Sequence, residues 1–376
     1  MRLFLLPAVL ILLLQSCSTS VQKKWYKGNT HVHTVLCGHA DSSPEAVTRW
    51  YHDHGYNFLI LSEHNKFINP KDVKMPENKR LDFLLIPGEE VTGKKHVHTT
   101  AMNVRELVDW NYDDKDRWKI IQKQVNDIEV AGGVTILNHP NYRDALTPED
   151  VYPVDRLYMF ELFNNLWENR KFKDDDPLHP GEEVWWDRML TKGMIMYGVG
   201  SDDAHKFKTF TLTESNPGRG WVMVRSASLN PEAITAAMFH GDFYASSGVY
   251  LKEYEVRNNV ISIEVDTVAT ADEMTKPIVR EGKKLGKEKP GYEIQLIGKN
   301  GKVLETVFGT KANFPVNNDS PYFRVKVIYR HNHPERGVEG YYAWCQPVFT
   351  DDRIAKNRVY QHLYLEHSHN HNDHDH

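Results

Sequence analysis

Histidines and carboxylates recur in this chain at spacings that suit metal binding. His31-Val32-His33 is the first group. On an extended strand, residues i and i+2 face one side, so two imidazoles can grip a single ion. His39 and Asp41 follow in a glycine-containing loop and are candidates to complete that site. Next come Glu63-His64, Glu89-Glu90, and His96 with His98, a second i, i+2 pair. His139 stands in Leu137-Asn138-His139-Pro140, and Asp203-Ala204-His205 closes the series. Each has an ordinary explanation alone: a surface His, a solvated Glu pair, a local Asp–His hydrogen bond. Recurrence along one stretch of chain is different. Unpaired carboxylates and imidazoles gathered in a folded interior are costly, and divalent ions remove that cost.

The elements that must carry these groups are legible. From Trp25 to Val249, short apolar runs alternate with amphipathic segments. Strands are expected at 57–62, 83–86, 134–137, 157–163 and 194–199. Ser43-Pro44-Glu45 opens a helix that Gly55 closes, and Arg117 to Ala131 is stopped by Gly132-Gly133. Glu182 to Lys192 ends at Gly193, and Asn230-Pro231-Glu232 opens a helix ended by Gly241. Strand-helix alternation implies a mainly parallel sheet or barrel. Most of the candidate ligands fall at or just after the C-terminal end of an expected strand, where catalytic residues of such barrels collect.

At these residues the chain resembles the PHP (polymerase and histidinol phosphatase) superfamily, over roughly residues 25 to 210. The opening HxH of that family matches His31 and His33, and its third ligand best matches His39, with Asp41 the substitute. The (D/E)-H pair matches Glu63-His64, with His64 the ligand. G-x-E matches Gly88-Glu89-Glu90, making Glu90 the expected bridging carboxylate and Glu89 the runner-up. A later His matches His98 by the downstream Ala101-Met102-Asn103. H-P matches His139-Pro140, and the closing D-x-H matches Asp203 and His205. Gly220-Trp221-Val222, the segment Gly241 to Gly248 and Tyr342-Ala343-Trp344 look like the exported, CehA/McbA-like branch of the superfamily. The resemblance implies an α/β fold, a distorted (β/α)7 TIM-like barrel, and two or three divalent ions.

A His-rich set with a carboxylate bridge suits Zn, Mn or Fe. Two such ions can activate a hydroxide and polarise a phosphoryl oxygen. The expected activity is therefore metal-dependent phosphoester hydrolysis of a small molecule. Asp203 or Asp202 is a candidate proton relay. Arg143 and Lys206 are candidates to bind a substrate anion, or else are solvated surface charges. Two other readings remain open: hydrolysis of an ester, amide or carbamate at the same cluster, and a metal-binding surface lipoprotein.

After Gly248 the texture changes to period-two alternation, as in Ile261 to Val265 and Tyr322 to Ile328, and Asn300-Gly301 signals a hairpin. Residues 250 to 350 read as a small antiparallel β domain with no long helix before about residue 352. The tail, residues 351–376, is polar and reads as disordered; six of the chain's 20 His fall in its last fifteen positions. At the other end, Leu3 to Leu14 is an apolar run too short to span a bilayer, which needs about 20 residues, but suited to an export signal. Leu14-Gln15-Ser16-Cys17 resembles a bacterial lipobox, with Gln15 a slight departure. This makes residues 1–16 a signal peptide, Cys17 a lipid-bearing membrane anchor, residues 17–24 a tether, and the location periplasmic or outer-membrane. Only Cys37 and Cys345 then remain, and their spacing does not favour a disulfide. A net charge of −5 argues against a nucleic-acid partner.

Overall fold

The computed structural model describes residues 22–165 and 180–362. The apolar run, Cys17 and the tail beyond residue 362 lie outside them.

The four expected helices form at Pro44–Asp53, Arg117–Val130, Glu182–Lys192 and Pro231–Phe239. Local chemistry starts them as anticipated. Ser43 and Asn230 cap with their side-chain oxygens, and proline takes the first helical turn after each. Helices not foreseen are the single turns Glu77–Arg80 and Pro148–Val151 and the longer Thr267–Thr275, capped by Asp266, whose carboxylate accepts the Ala269 N–H.

Among the described residues, ten strands precede residue 250. They are β1 (Lys24–Asn29), β2 (Phe58–Leu59), β3 (Leu84–Leu85), β4 (Gly88–Thr92), β5 (His98–Met102), β6 (Val134–Leu137), β7 (Met159–Asn164), β8 (Tyr197–Ser201), β9 (Trp221–Ser226) and β10 (Phe243–Ser246). β1, β2 and β3 pair in parallel, and so do β6, β7 and β8. β4, β5 and β6 are antiparallel neighbours. Only Gly93 to Val97 separates β4 from β5, too short a link for the crossover that parallel strands need.

The strands do not run as one closed barrel among the described residues. The ladders divide into an eleven-stranded sheet, a five-stranded sheet of β4 to β8, and a three-stranded sheet. Two isolated parallel bridges, Val32 with Ala204 and His64 with Glu90, join the first two sheets. Both bridges lie at candidate ligands. In the same region the backbone at His139 and Asp203 is strained, with φ of 22° and 48°, a cost that clusters at functional sites.

The C-terminal region adds long antiparallel strands, among them Gly291–Gly298, Tyr322–His333 and Gly337–Cys345. Gly337–Cys345 pairs with β10, so the large sheet continues across the boundary expected near residue 249. One apolar core follows it, running from Val32, Leu59 and Ala204 to Val325 and Ala343. Each fully buried aliphatic side chain contributes roughly 1.5–3 kcal/mol by leaving water.

Candidate metal centre

His31-Val32-His33 continues in extended form just past the end of β1. Val32 is fully buried in the core, and its alternation turns His31 and His33 together to the other side. His31 Nδ1 donates to Glu161 Oε1 at 2.8 Å. Glu161 accepts only, so this bond keeps a proton on Nδ1 and turns Nε2 of His31 inward. That nitrogen lies 3.1 Å from His33 Nε2, 3.5 Å from Glu90 Oε1 and 3.4 Å from Asp203 Oδ1.

Glu90 is the hub. Its Oε1 lies 3.1 Å from His139 Nε2 and 3.2 Å from His98 Nδ1, and accepts the Asn138 amide at 3.0 Å. Its Oε2 lies 2.6 Å from His64 Nδ1 and 3.6 Å from His33 Nε2. Strand alternation separates it from Glu89, which turns to the opposite face and accepts the Val108 N–H at 2.6 Å.

Asp203 Oδ1 completes the inner ring, 3.3 Å from His33 Nε2 and 3.6 Å from His205 Nδ1. His39, His64 and His205 form the outer edge. The His39 ring stacks against His205 at 4.5 Å and against His64 at 5.1 Å. His39 is exposed while His205 is buried, so this edge is the mouth.

Nine candidate ligands therefore meet: His31, His33, His39, His64, Glu90, His98, His139, Asp203 and His205. They fall into overlapping groups whose donor atoms all lie within 4.8 Å of one another. Glu90 belongs to two of these groups, with His31 and His33 and with His98 and His139. Donors about 2.1 Å from one tetrahedral ion lie roughly 3.4 Å apart, which matches most of these spacings. Orphaned atoms point the same way. Asp203 Oδ1, His33 Nδ1, His139 Nδ1 and His205 Nε2 are buried with no hydrogen-bond partner among the described residues. Buried polar atoms are rarely left so. The donor set fits divalent ions.

Charge within the cluster is set by burial against the mutual attraction of imidazoles and carboxylates. Burial opposes charge on Glu90, but His31, His64 and His98 outweigh it and hold the carboxyl well below its usual range. Burial opposes charge on Asp203 too, and His31 and His33 overcome it in the same sense. Burial, reinforced by His205, keeps His33 well below an ordinary imidazole. Burial also brings His205 down to about 4, against the pull of Asp203. The carboxylates are thus anionic and these two imidazoles neutral, the states that ligate metals, while against burial the nearby carboxylates raise His31, His64 and His139 above an ordinary imidazole, so metal would have to displace their protons.

Other candidates lie elsewhere. Asp202 is a correction: its side chain does not face the cluster. Its oxygens accept from Asn29, Tyr51 and the N–H groups of Gly218, Arg219 and Gly220 at 2.7–2.8 Å, so it fastens the 218–220 turn. Asp41 accepts from the Phe207 and Lys208 N–H groups and braces a loop, while His39 faces the ring of histidines. His96 is exposed and belongs to none of the groups. Arg143 is exposed, its guanidinium 5.1 Å from the Tyr142 ring centre, and that ring lies 5.3 Å from His139. Lys206 Nζ donates to the His39 carbonyl at 3.0 Å, and Lys66 Nζ to that of Leu36 at 2.8 Å.

Glu161 and Asn164 were missed in the sequence. Glu161 accepts from His31, Ser201, Asn164 and the His139 N–H, which ties four parts of the site to one carboxylate. An acid inside the apolar run Tyr158-Met159-Phe160-Glu161-Leu162-Phe163 was the available signal.

No family model matches the chain, and no curated protein does. One similar solved structure is that of a two-domain protein from Bacteroides vulgatus ATCC 8482 described as containing a "predicted PHP-like metal-dependent phosphoesterase". It is 15% identical, with a TM-score of 0.42, and the match covers 85% of this chain and 95% of that one. Nothing in these comparisons favours the exported CehA/McbA-like branch.

Proposed function

We propose that this chain is a PHP-type metal-dependent hydrolase that cleaves phosphoesters of small molecules. The observation that carries the reading is the convergence of six buried or half-buried histidines and their exposed neighbour His39 on two anionic carboxylates, Glu90 and Asp203. His31, His33, His64, Glu90, His98, His139, Asp203 and His205 would hold two or three ions, with His39 at the mouth. Such ions supply Lewis acidity at the phosphoryl oxygens and acidify bound water near neutral pH.

The chain's own groups do the rest. Glu161 fixes the His31 tautomer, and Asn164 orients Asp203. Asp203, whose Oδ1 faces His31 and His33, is the candidate to relay a proton from the attacking water toward solvent. As water adds to phosphorus, the ester P–O bond breaks and the alcohol leaves with a proton from solvent. The Lys66 and Lys206 ammonium groups beside the 36–39 loop make the mouth attractive to an anion, which favours a phosphate over a neutral ester. Arg143, near His139 across Tyr142, is the candidate to hold the phosphate's outer oxygens.

The test is turnover of an aryl phosphate against an aryl carboxylic ester by protein loaded with Zn, Mn or Fe. Phosphate cleavage supports the reading. Ester cleavage alone redirects it to acyl chemistry, and turnover of neither substrate favours a metal-binding role. On the sequence of residues 3–17 we also propose export and lipid attachment at Cys17. Intact-mass analysis of membrane-extracted protein tests this, and a product cleaved elsewhere contradicts it.

A further inference from the structure

The metal groups include one donor of a different kind. Cys37 Sγ lies with a ring nitrogen of His33 and one of His205 inside a 4.8 Å set. Cys37 is a free, half-buried thiol. The two imidazoles beside it supply an independent observation: His33 Nδ1 and His205 Nε2 are buried, at 0% and 8% residue exposure, and have no partner among the described residues.

The loop holds the thiol in place. Cys37 ends a single tight turn, Val35–Cys37, whose start is capped by Thr34. The Thr34 N–H donates to Glu63 Oε1 at 2.7 Å, and the Val35 N–H to the Ser42 carbonyl at 2.8 Å. Gly38, at φ +88°, reverses the chain and returns its N–H to the Val35 carbonyl, a conformation that glycine adopts without strain. The Ala40 N–H then points at Cys37 Sγ, 3.4 Å away.

We infer that Cys37 is a thiolate ligand of the outermost ion, bound together with His205 and His33 beside the His39–His64 edge. The inference rests on the metal reading above and deepens it. When the S–metal bond forms, the S–H bond breaks and its proton passes to solvent. A sulfur donor in an otherwise nitrogen and oxygen site selects a soft ion of the zinc class at this position, whereas the Glu90 side remains compatible with harder ions.

Cobalt reports sulfur ligation without reference to turnover. Chelator-stripped protein is titrated with Co(II), recording the visible d–d bands and the near-ultraviolet sulfur-to-cobalt charge-transfer band. The expected result is both features in the wild type, and loss of the charge-transfer band alone in Cys37→Ser. In parallel, alkylation of Cys37 in the wild-type protein is followed by peptide mass mapping, with buried Cys345 as the internal comparison. Zinc is expected to slow it at least tenfold. Visible bands without a charge-transfer band, and alkylation indifferent to zinc, would overturn the inference while leaving the metal centre standing. No cobalt bands at all would overturn both.

Discussion

The side-chain amide of Asn164 donates to Oδ2 of Asp203 at 3.3 Å, and this leaves Oδ1 as the oxygen turned toward His31 and His33. The same amide donates to Glu161 Oε2 at 2.8 Å. One neutral residue thus sets the angle of an anionic one. Asn164→Ala is expected to lower metal affinity about 10–100-fold, the usual cost of losing an outer partner of a ligand, with helix content unchanged. Competition with a chromophoric chelator measures it, and unchanged affinity would leave Asp203 positioned by other means.

Glu161→Gln removes the charge that fixes His31 while keeping the side chain's shape. His31 Nδ1 then faces an amide able to donate as well as accept, and the preference for one tautomer weakens. Metal affinity should again fall about 10–100-fold, and circular dichroism should stay the same. A variant that binds metal like the wild type would mean that the His31 tautomer is set by the inner ring alone.

Adjacent aspartates separate by role. Asp203→Ala should reduce turnover by orders of magnitude while the protein stays folded, since that side chain faces the cluster. Asp202→Ala strands the N–H groups of Gly218, Arg219 and Gly220 and the Tyr51 hydroxyl. Each orphaned donor costs about 1–3 kcal/mol, so the main effect is a lower thermal midpoint. Equal stability loss in both variants would contradict the assignment.

Glu89 gives a pH signature. An unfolded Glu ionises near 4.5, but burial pushes Glu89 up to about 7. Between these values the folded chain keeps a proton that the unfolded chain has lost, so stability from this group falls as pH rises through the window. Glu89→Gln removes the dependence and retains an acceptor for Val108. It should stabilise the protein at pH 8 relative to wild type by on the order of 2 kcal/mol more than at pH 5. Thermal or urea unfolding at the two pH values checks this, and a pH-independent difference would contradict it.

Much of the candidate site was legible because its candidate ligands sit in short local patterns. His31-Val32-His33, His139-Pro140 and Asp203-Ala204-His205 each declare themselves by spacing, and the strand ends around them follow from apolar runs. Glu89 and Glu90 are distinguished only by strand phase, which the structure supplies. Asp202 misled because adjacency to Asp203 says nothing about facing direction, and its real partners lie up to 173 positions away at Asn29. Glu161 and Asn164 act on residues distant in sequence, so only tertiary contact shows their task. The antiparallel pairing of β4 with β5 was also hidden: it depends on a five-residue link too short for a parallel crossover. The helix at 267–275 carried a readable Asp266 cap, but the alternating strands around it masked the signal.

The central claim is that Glu90 and Asp203 organise a hydrolytic metal centre. The most direct measurement is metal content per chain after reconstitution and dialysis, with aryl phosphate turnover recorded on the same samples for wild type, Glu90→Gln and Asp203→Ala. The account predicts two or three tightly held ions and turnover in the wild type, and in both variants fewer ions and turnover lower by orders of magnitude. Full metal content and near-normal turnover in Glu90→Gln, or a wild type that retains no ions, would contradict it.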